Sequence, residues 1–264
     1  MMKFALMVVA LAATITLSAC SSTPNSSDIK ADVNEGPDTL AQTNLRLGIG
    51  YLQQGQRDLA LSKLQRAIEL DPKLAKAHYA IAILYDQLGQ ADLALQHAER
   101  AVSLDPQDAA AHLNYGAFLC KQNQLAQADE QFQKVFKNPL YASPEAAYEN
   151  AGVCAMRVPD PAKAEQYFRN ALQLNPKLTI SLYQMGVLHY QTERYLQARA
   201  YLQRYAEVSQ PTPQSLWLGV RVERQLGDKN SASSYAVQLK SNFPDSEEVR
   251  LLHESEQGAK PKPP

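Results

Sequence analysis

Between Ala41 and Pro244 the small, large and polar positions recur with one long period. Pro72 and Pro106 stand 34 residues apart, each after a helix-like stretch ending in Leu-Asp, and Asn175-Pro176 repeats the punctuation. Cut into units of that length, the chain aligns with itself. The unit from Ala41 carries Leu47, Gly48, Tyr51, Ala60, Leu64, Ala67 and Pro72 at fixed offsets. The unit from Ala75 carries Ile81, Ala82, Tyr85, Ala94, Ala98, Ala101 and Pro106 at the same ones. The third, from Ala109, gives Tyr115, Gly116, Leu119, Ala128, Phe132 and Val135, then loses its proline and runs into Asn138-Pro139-Leu140-Tyr141. The fourth starts two residues late, at Glu145, and the fifth at Thr179. A sixth, from Thr212 to Pro244, fits only with a one-residue shift at Leu218-Gly219 and Ala232. Each unit reads as two helices. Small residues at the Gly and Ala offsets let the helices approach, and large ones at the Leu, Tyr and Phe offsets fill the gaps.

This period and its residue types resemble the tetratricopeptide repeat. The resemblance implies an all-α fold, a right-handed α-solenoid of about six repeats over residues 41–245. Such units cannot bury their apolar faces alone and must stack. After Pro244, Asp245-Ser246-Glu247-Glu248 reads as a helix start with a cap and acidic first turn. A short helix to about Glu254 then covers the last repeat, and residues 246–264 form a cap and disordered tail.

The first twenty residues break the pattern. Lys3 precedes an apolar run from Phe4 to Thr16, followed by Leu17-Ser18-Ala19-Cys20. This reads as a secretory signal over residues 1–19, too short to span a bilayer permanently. An ordinary cleavage near Ala19 is one reading. Leu-Ser-Ala-Cys also resembles the bacterial lipobox, which implies that Cys20 becomes the lipidated, palmitate-bearing mature N-terminus. Ser21 in place of Asp then implies sorting to the outer membrane. Residues 20–40 are polar and turn-rich and read as a flexible tether of ~25 Å r.m.s. span.

Net charge of -1 leaves no basic field to draw nucleic acid. No His-Glu-x-x-His, paired Cys-x-x-Cys, phosphate loop or nucleophile elbow occurs. The sequence therefore reads as non-enzymatic, without metal, cofactor or small-molecule substrate. His78 and His112 occupy the position where the repeat has Trp and read as packing residues, while His97, His189 and His253 look isolated. Trp217 reads as core, and charge clusters such as Arg221-Val222-Glu223-Arg224 read as solvated helix faces.

The first helix of each repeat lines the inner side of such a solenoid, through positions two, five, nine, twelve and thirteen. In the first two repeats this selects Leu45, Ile49, Leu52, Tyr79 and Ile83 among polar neighbours. The facing surface reads as open, so the fold itself does not need apolar groups there, and the five form a candidate exposed apolar groove suited to an amphipathic or apolar segment of a protein partner. Cover by neighbouring side chains or by the tether is the competing reading. Tetratricopeptide domains that clamp a C-terminal carboxylate carry Lys and Asn at positions five and nine. Leu45 and Ile49 stand there instead.

With Cys20 acylated, Cys120 and Cys154 remain as a pair in an oxidising compartment. Buried free thiols are one reading. Their positions favour a bond: they differ by about 200° around helices of 3.6 residues per turn, so they can point at each other across adjacent repeats.

Leu47-Gly-Ile-Gly-Tyr-Leu-Gln-Gln-Gly-Gln56, Asn114-Tyr-Gly-Ala-Phe-Leu-Cys120, Asn138-Pro-Leu-Tyr141, Glu149-Asn-Ala-Gly-Val-Cys154 and Ser215-Leu-Trp-Leu-Gly-Val-Arg-Val-Glu-Arg224 are more distinctive than the repeat itself. These segments resemble the type IV pilus biogenesis and stability lipoproteins, the tetratricopeptide pilotins, over roughly residues 40–245. That resemblance implies a lipid-anchored protein of the outer membrane, facing the periplasm, that binds the pilus secretin and promotes its localisation and multimerisation. The alternative is a general envelope scaffold or adaptor with another periplasmic or outer-membrane partner.

Overall fold

The computed structural model describes residues 39–158 and 161–258. The signal, Cys20, the tether up to residue 38 and the tail from residue 259 lie outside the described residues; Thr39 and Leu40, expected in the tether, cap and open the first helix. Thirteen α-helices and no strand are present among those described. They form six antiparallel pairs: α1 (Leu40–Gln53) with α2 (Arg57–Leu70), α3 (Ala75–Gln87) with α4 (Ala91–Leu104), and α5 (Ala109–Lys121) with α6 (Leu125–Phe136). α7 (Pro144–Ala155) pairs with α8 (Pro161–Leu174), α9 (Thr179–Gln191) with α10 (Tyr195–Val208), and α11 (Pro213–Leu226) with α12 (Lys229–Asn242). A last helix, α13 (Glu247–Gly258), packs on α11 and α12. It runs a full turn past the end expected at Glu254. The first helix begins at the tether's end, where Thr39 and Gln42 form a reciprocal capping box.

The close approach within each pair explains the small residues. A Cβ on Gly48 would meet the Leu64 side chain at 2.7 Å, one on Gly116 the Phe132 ring at 2.8 Å, and one on Gly152 the Phe168 ring at 2.6 Å. Large groups on the second helix therefore sit directly over a glycine on the first. In the second repeat the equivalent positions are Ala82 and Ala98, both buried, so a methyl on one helix faces a methyl on the other. The sixth repeat keeps the same contact, Gly219 against Tyr235. In the turns of the first, second, third, fifth and sixth repeats, Gly55, Gly89, Asn123, Glu193 and Gly227 hold φ of 72°, 72°, 61°, 59° and 76°. This left-handed backbone suits Gly and Asn; Glu193 occupies it at a cost of about 1 kcal/mol.

The odd-numbered helices contact one another along the stack, and the even-numbered ones are spaced further apart. The odd helices therefore line the inner, tighter side. The joint between the third and fourth repeats carries the insertion, and two devices close it. Phe136 and Tyr148 stack with centroids 4.2 Å apart, and Tyr167 lies 5.6 Å from Phe136. Cys120 and Cys154 form a disulfide between α5 and α7, Cα atoms 5.8 Å apart.

Candidate partner-binding surface

The apolar groove expected in the first two repeats is not open. Leu45, Ile49 and Leu52 are 6%, 5% and 3% exposed, and Tyr79 and Ile83 are 5% and 0%. The reason is the tight inner spacing. Positions five, nine and twelve of one inner helix turn toward the next inner helix, so α3 covers α1 and α5 covers α3. All five side chains belong to one core cluster with Ala60, Leu64 and Ile81. The Tyr79 hydroxyl accepts a hydrogen bond from the Asn114 amide at 2.9 Å, inside the joint between repeats. The apolar requirement at these positions comes from stacking.

The inner side is accessible toward the other end. On α7, Val153 is 39% exposed, and Ile180 on α9 is 41% exposed. Tyr183, Val187 and Tyr190 of α9 are half-buried, packed against the cluster of Ala198 and Leu202 of α10 with Leu218 and Val222 of α11. Trp217, half-buried, packs against the cluster of Leu216, Val220, Leu239, Val249 and Leu252. The Arg221 guanidinium lies 4.2 Å from the centre of the Tyr190 ring, and Arg224 lies 6.0 Å over Trp217. Burial raises the pKa of Tyr183, and the Glu248 carboxylate on α13 adds to the rise. Three adjacent inner helices thus present aromatic rings, aliphatic tips and two guanidinium groups on one surface. Sequence reasoning missed it because α11 was read with the rest as a solvated charge cluster. That reading fails for Glu223 too: it is 3% exposed and takes Arg199 in a two-point ion pair, with one hydrogen bond of 2.9 Å.

The histidines sort differently from expectation. His97 is not isolated: its Nδ1 lies 2.9 Å from Nδ1 of His78, whose Nε2 faces the Pro72 carbonyl at 3.2 Å. The carbonyl can only accept, so Nε2 of His78 donates and its Nδ1 accepts from His97. The third repeat repeats this with His112, 2.7 Å from Gln131 and 3.1 Å from the Pro106 carbonyl. In both, the imidazole ties the start of one inner helix to its outer partner. His189 is buried and stacked on Tyr201, 5.2 Å between centroids. Among the described residues no three metal-ligating side chains cluster.

Desolvation lowers the pKa of His78, His97 and His189; the Arg100 charge adds to this at His78, and His78 itself adds to it at His97. These rings are neutral in the folded chain, and the unfolded chain takes up their protons below the ordinary value of 6.5. Their contribution is therefore complete above that pH and is lost as pH falls through the lowered values. The melting temperature is expected to drop between pH 7 and pH 5. His97→Gln, which copies the third repeat's pairing, should make the drop smaller. An identical decline in the variant would remove His97 from this account.

Residues 45–109 and 119–179 match the tetratricopeptide-repeat family, and residues 97–130 match a second tetratricopeptide description. The type IV pilus assembly protein PilF of Pseudomonas aeruginosa is 31% identical over 236 residues, covering 89% of this chain and 93% of that protein. The chain belongs to the PilF family of type IV pilus assembly proteins. The structure agrees over 82% of the chain. Pseudomonas aeruginosa PilF superposes with a TM-score of 0.73 at 30% identity, covering 97% of that chain. PilW, described as a widely conserved type IV pilus biogenesis factor, superposes with a TM-score of 0.75 at 27% identity, covering 99% of that chain. Membership in the PilF family places this chain among pilus biogenesis factors built as protein-interaction scaffolds.

Proposed function

We propose that this chain is a non-catalytic lipoprotein of the outer membrane, anchored through Cys20, that binds the type IV pilus secretin and promotes its localisation and multimerisation. The similarity to PilF along nearly the whole chain carries the reading. The lipobox-like Leu17–Cys20 segment supports the anchor, since several acyl chains on one residue hold a protein firmly where a single chain does not. The partly open inner face of the last three repeats offers a surface for a protein partner, with aromatic and arginine side chains of the kind that dominate interface energetics. The test is co-purification: the full chain, extracted in mild detergent from cells that make the secretin, should retain the secretin through washing. Absence of the secretin from that eluate, with the chain itself folded, would contradict the proposal.

A further inference from the structure

Most arginines that lean on this fold find an acceptor. Arg199 pairs with Glu223 and Asp228, and Arg194 with Glu165 at 2.6 Å. Arg157 donates to the Cys120 carbonyl, and Arg224 to the Ser255 hydroxyl at 2.8 Å. Arg221 differs. Its guanidinium is half-buried and stacked on Tyr190, yet among the described residues it makes no ion pair and no hydrogen bond. The ring contact restrains the group and leaves its N–H edges unspent. A stacked guanidinium keeps the fork that matches a carboxylate at two points. Less of its side-chain freedom remains to be lost on binding. The neighbours are Tyr183 and Val187 on α9 and Trp217 one turn away on α11. They are half-buried and offer apolar contact on either side of the fork.

We propose that Arg221 is the anchor of a receptor for a carboxylate on an extended segment of a protein partner, with an aliphatic or aromatic side chain beside that carboxylate seated against Tyr183, Val187 and Trp217. It rests on the protein-binding reading above, and it assigns the chemistry of the bound segment. The carboxylate supplies the two acceptors that Arg221 lacks within its own chain. The rings exclude water around the pair, which strengthens it. Neither Leu45 nor Ile49, at the positions used by tail-clamping relatives of this repeat, takes part. The receptor sits in the fifth and sixth repeats and uses a stacked arginine in place of a lysine and an asparagine.

The experiment is selection of a random dodecapeptide library on the full chain, immobilised in detergent, with secretin co-purification run in parallel. Peptides with Asp or Glu next to an aliphatic or aromatic residue should be enriched. Their affinity should fall about ten- to a hundredfold in Arg221→Gln and less in Arg221→Lys, which keeps the charge and loses the fork. Helical content should be unchanged, since Arg221 makes no bond within the described chain. Enrichment of peptides without a carboxylate, no enrichment, or equal affinity in Arg221→Gln would overturn the proposal. So would Arg221-dependent self-association in sedimentation, which would make a second copy the occupant. If secretin is retained but the carboxylate preference is absent, this inference fails and the secretin reading stands. If the preference is present and the secretin is not retained, the reverse holds.

Discussion

Changing Leu45 and Ile49 together to Glu is expected to unfold the first repeat. Both side chains lie in the core between α1, α2 and α3, at 6% and 5% exposure. Each substitution forfeits about 1.5–3 kcal/mol of apolar burial. Each also forces a carboxylate into a site with no partner, which costs several kcal/mol more. The sum is comparable to the ~5–15 kcal/mol that holds an ordinary domain together. In a stack where each unit touches only its neighbours, the terminal unit gives way first. Hydrogen exchange should show loss of protection in α1 and α2, with the fifth and sixth repeats still protected. A variant with unchanged helical content and melting temperature would mean that these side chains face solvent after all.

Removing the disulfide is the second large effect. The bond closes a loop between residues 34 apart. In the chain-entropy picture that loop contributes up to ~4 kcal/mol, and loss of native bonds in small domains costs ~2–5 kcal/mol. For a domain of this size each kcal/mol moves the melting temperature by roughly 2–4 °C. Cys120→Ser with Cys154→Ser should therefore lower it by roughly 5–15 °C. The damage should concentrate where the insertion at Asn138–Pro144 interrupts the stack, because α5 and α7 lose their covalent tie there. The aromatic cluster of Phe136, Tyr148 and Tyr167 remains as the other closure. An unchanged melting temperature, with the bond confirmed in the parent protein by thiol labelling, would show that the aromatics suffice.

The fold was legible because its rule is local. Gly48, Gly116 and Gly152 announce close helix pairs, and the chain places Leu64, Phe132 and Phe168 sixteen residues later to cover them. Cys120 and Cys154 were legible as partners for the same reason, since two helical positions and a known period fix their directions. The site was less legible. Positions five, nine and twelve of the inner helices serve two masters, the neighbouring helix and the open face, and sequence spacing does not say which one wins. At Leu45 and Ile83 the neighbour wins; at Tyr183, Val187 and Tyr190 the side chains reach past it. The His78–His97 contact links two helices at a spacing of nineteen, which belongs to no single-helix periodicity. Arg199 and Glu223 meet across α10 and α11, so a segment that looked like solvated charge carries a buried ion pair.

The proposed role of this PilF-family member in assembling the pilus secretin at the outer membrane has one direct test. The direct measurement is the amount of heat-resistant secretin multimer in envelope fractions from cells lacking this protein. It is compared with cells complemented by the wild-type chain and by Cys20→Ala. The account predicts that multimer is lost in the deletion and monomer accumulates, that the wild-type chain restores it in the outer membrane, and that Cys20→Ala does not restore it there. Full secretin multimer in the outer membrane of cells without the protein would contradict the account.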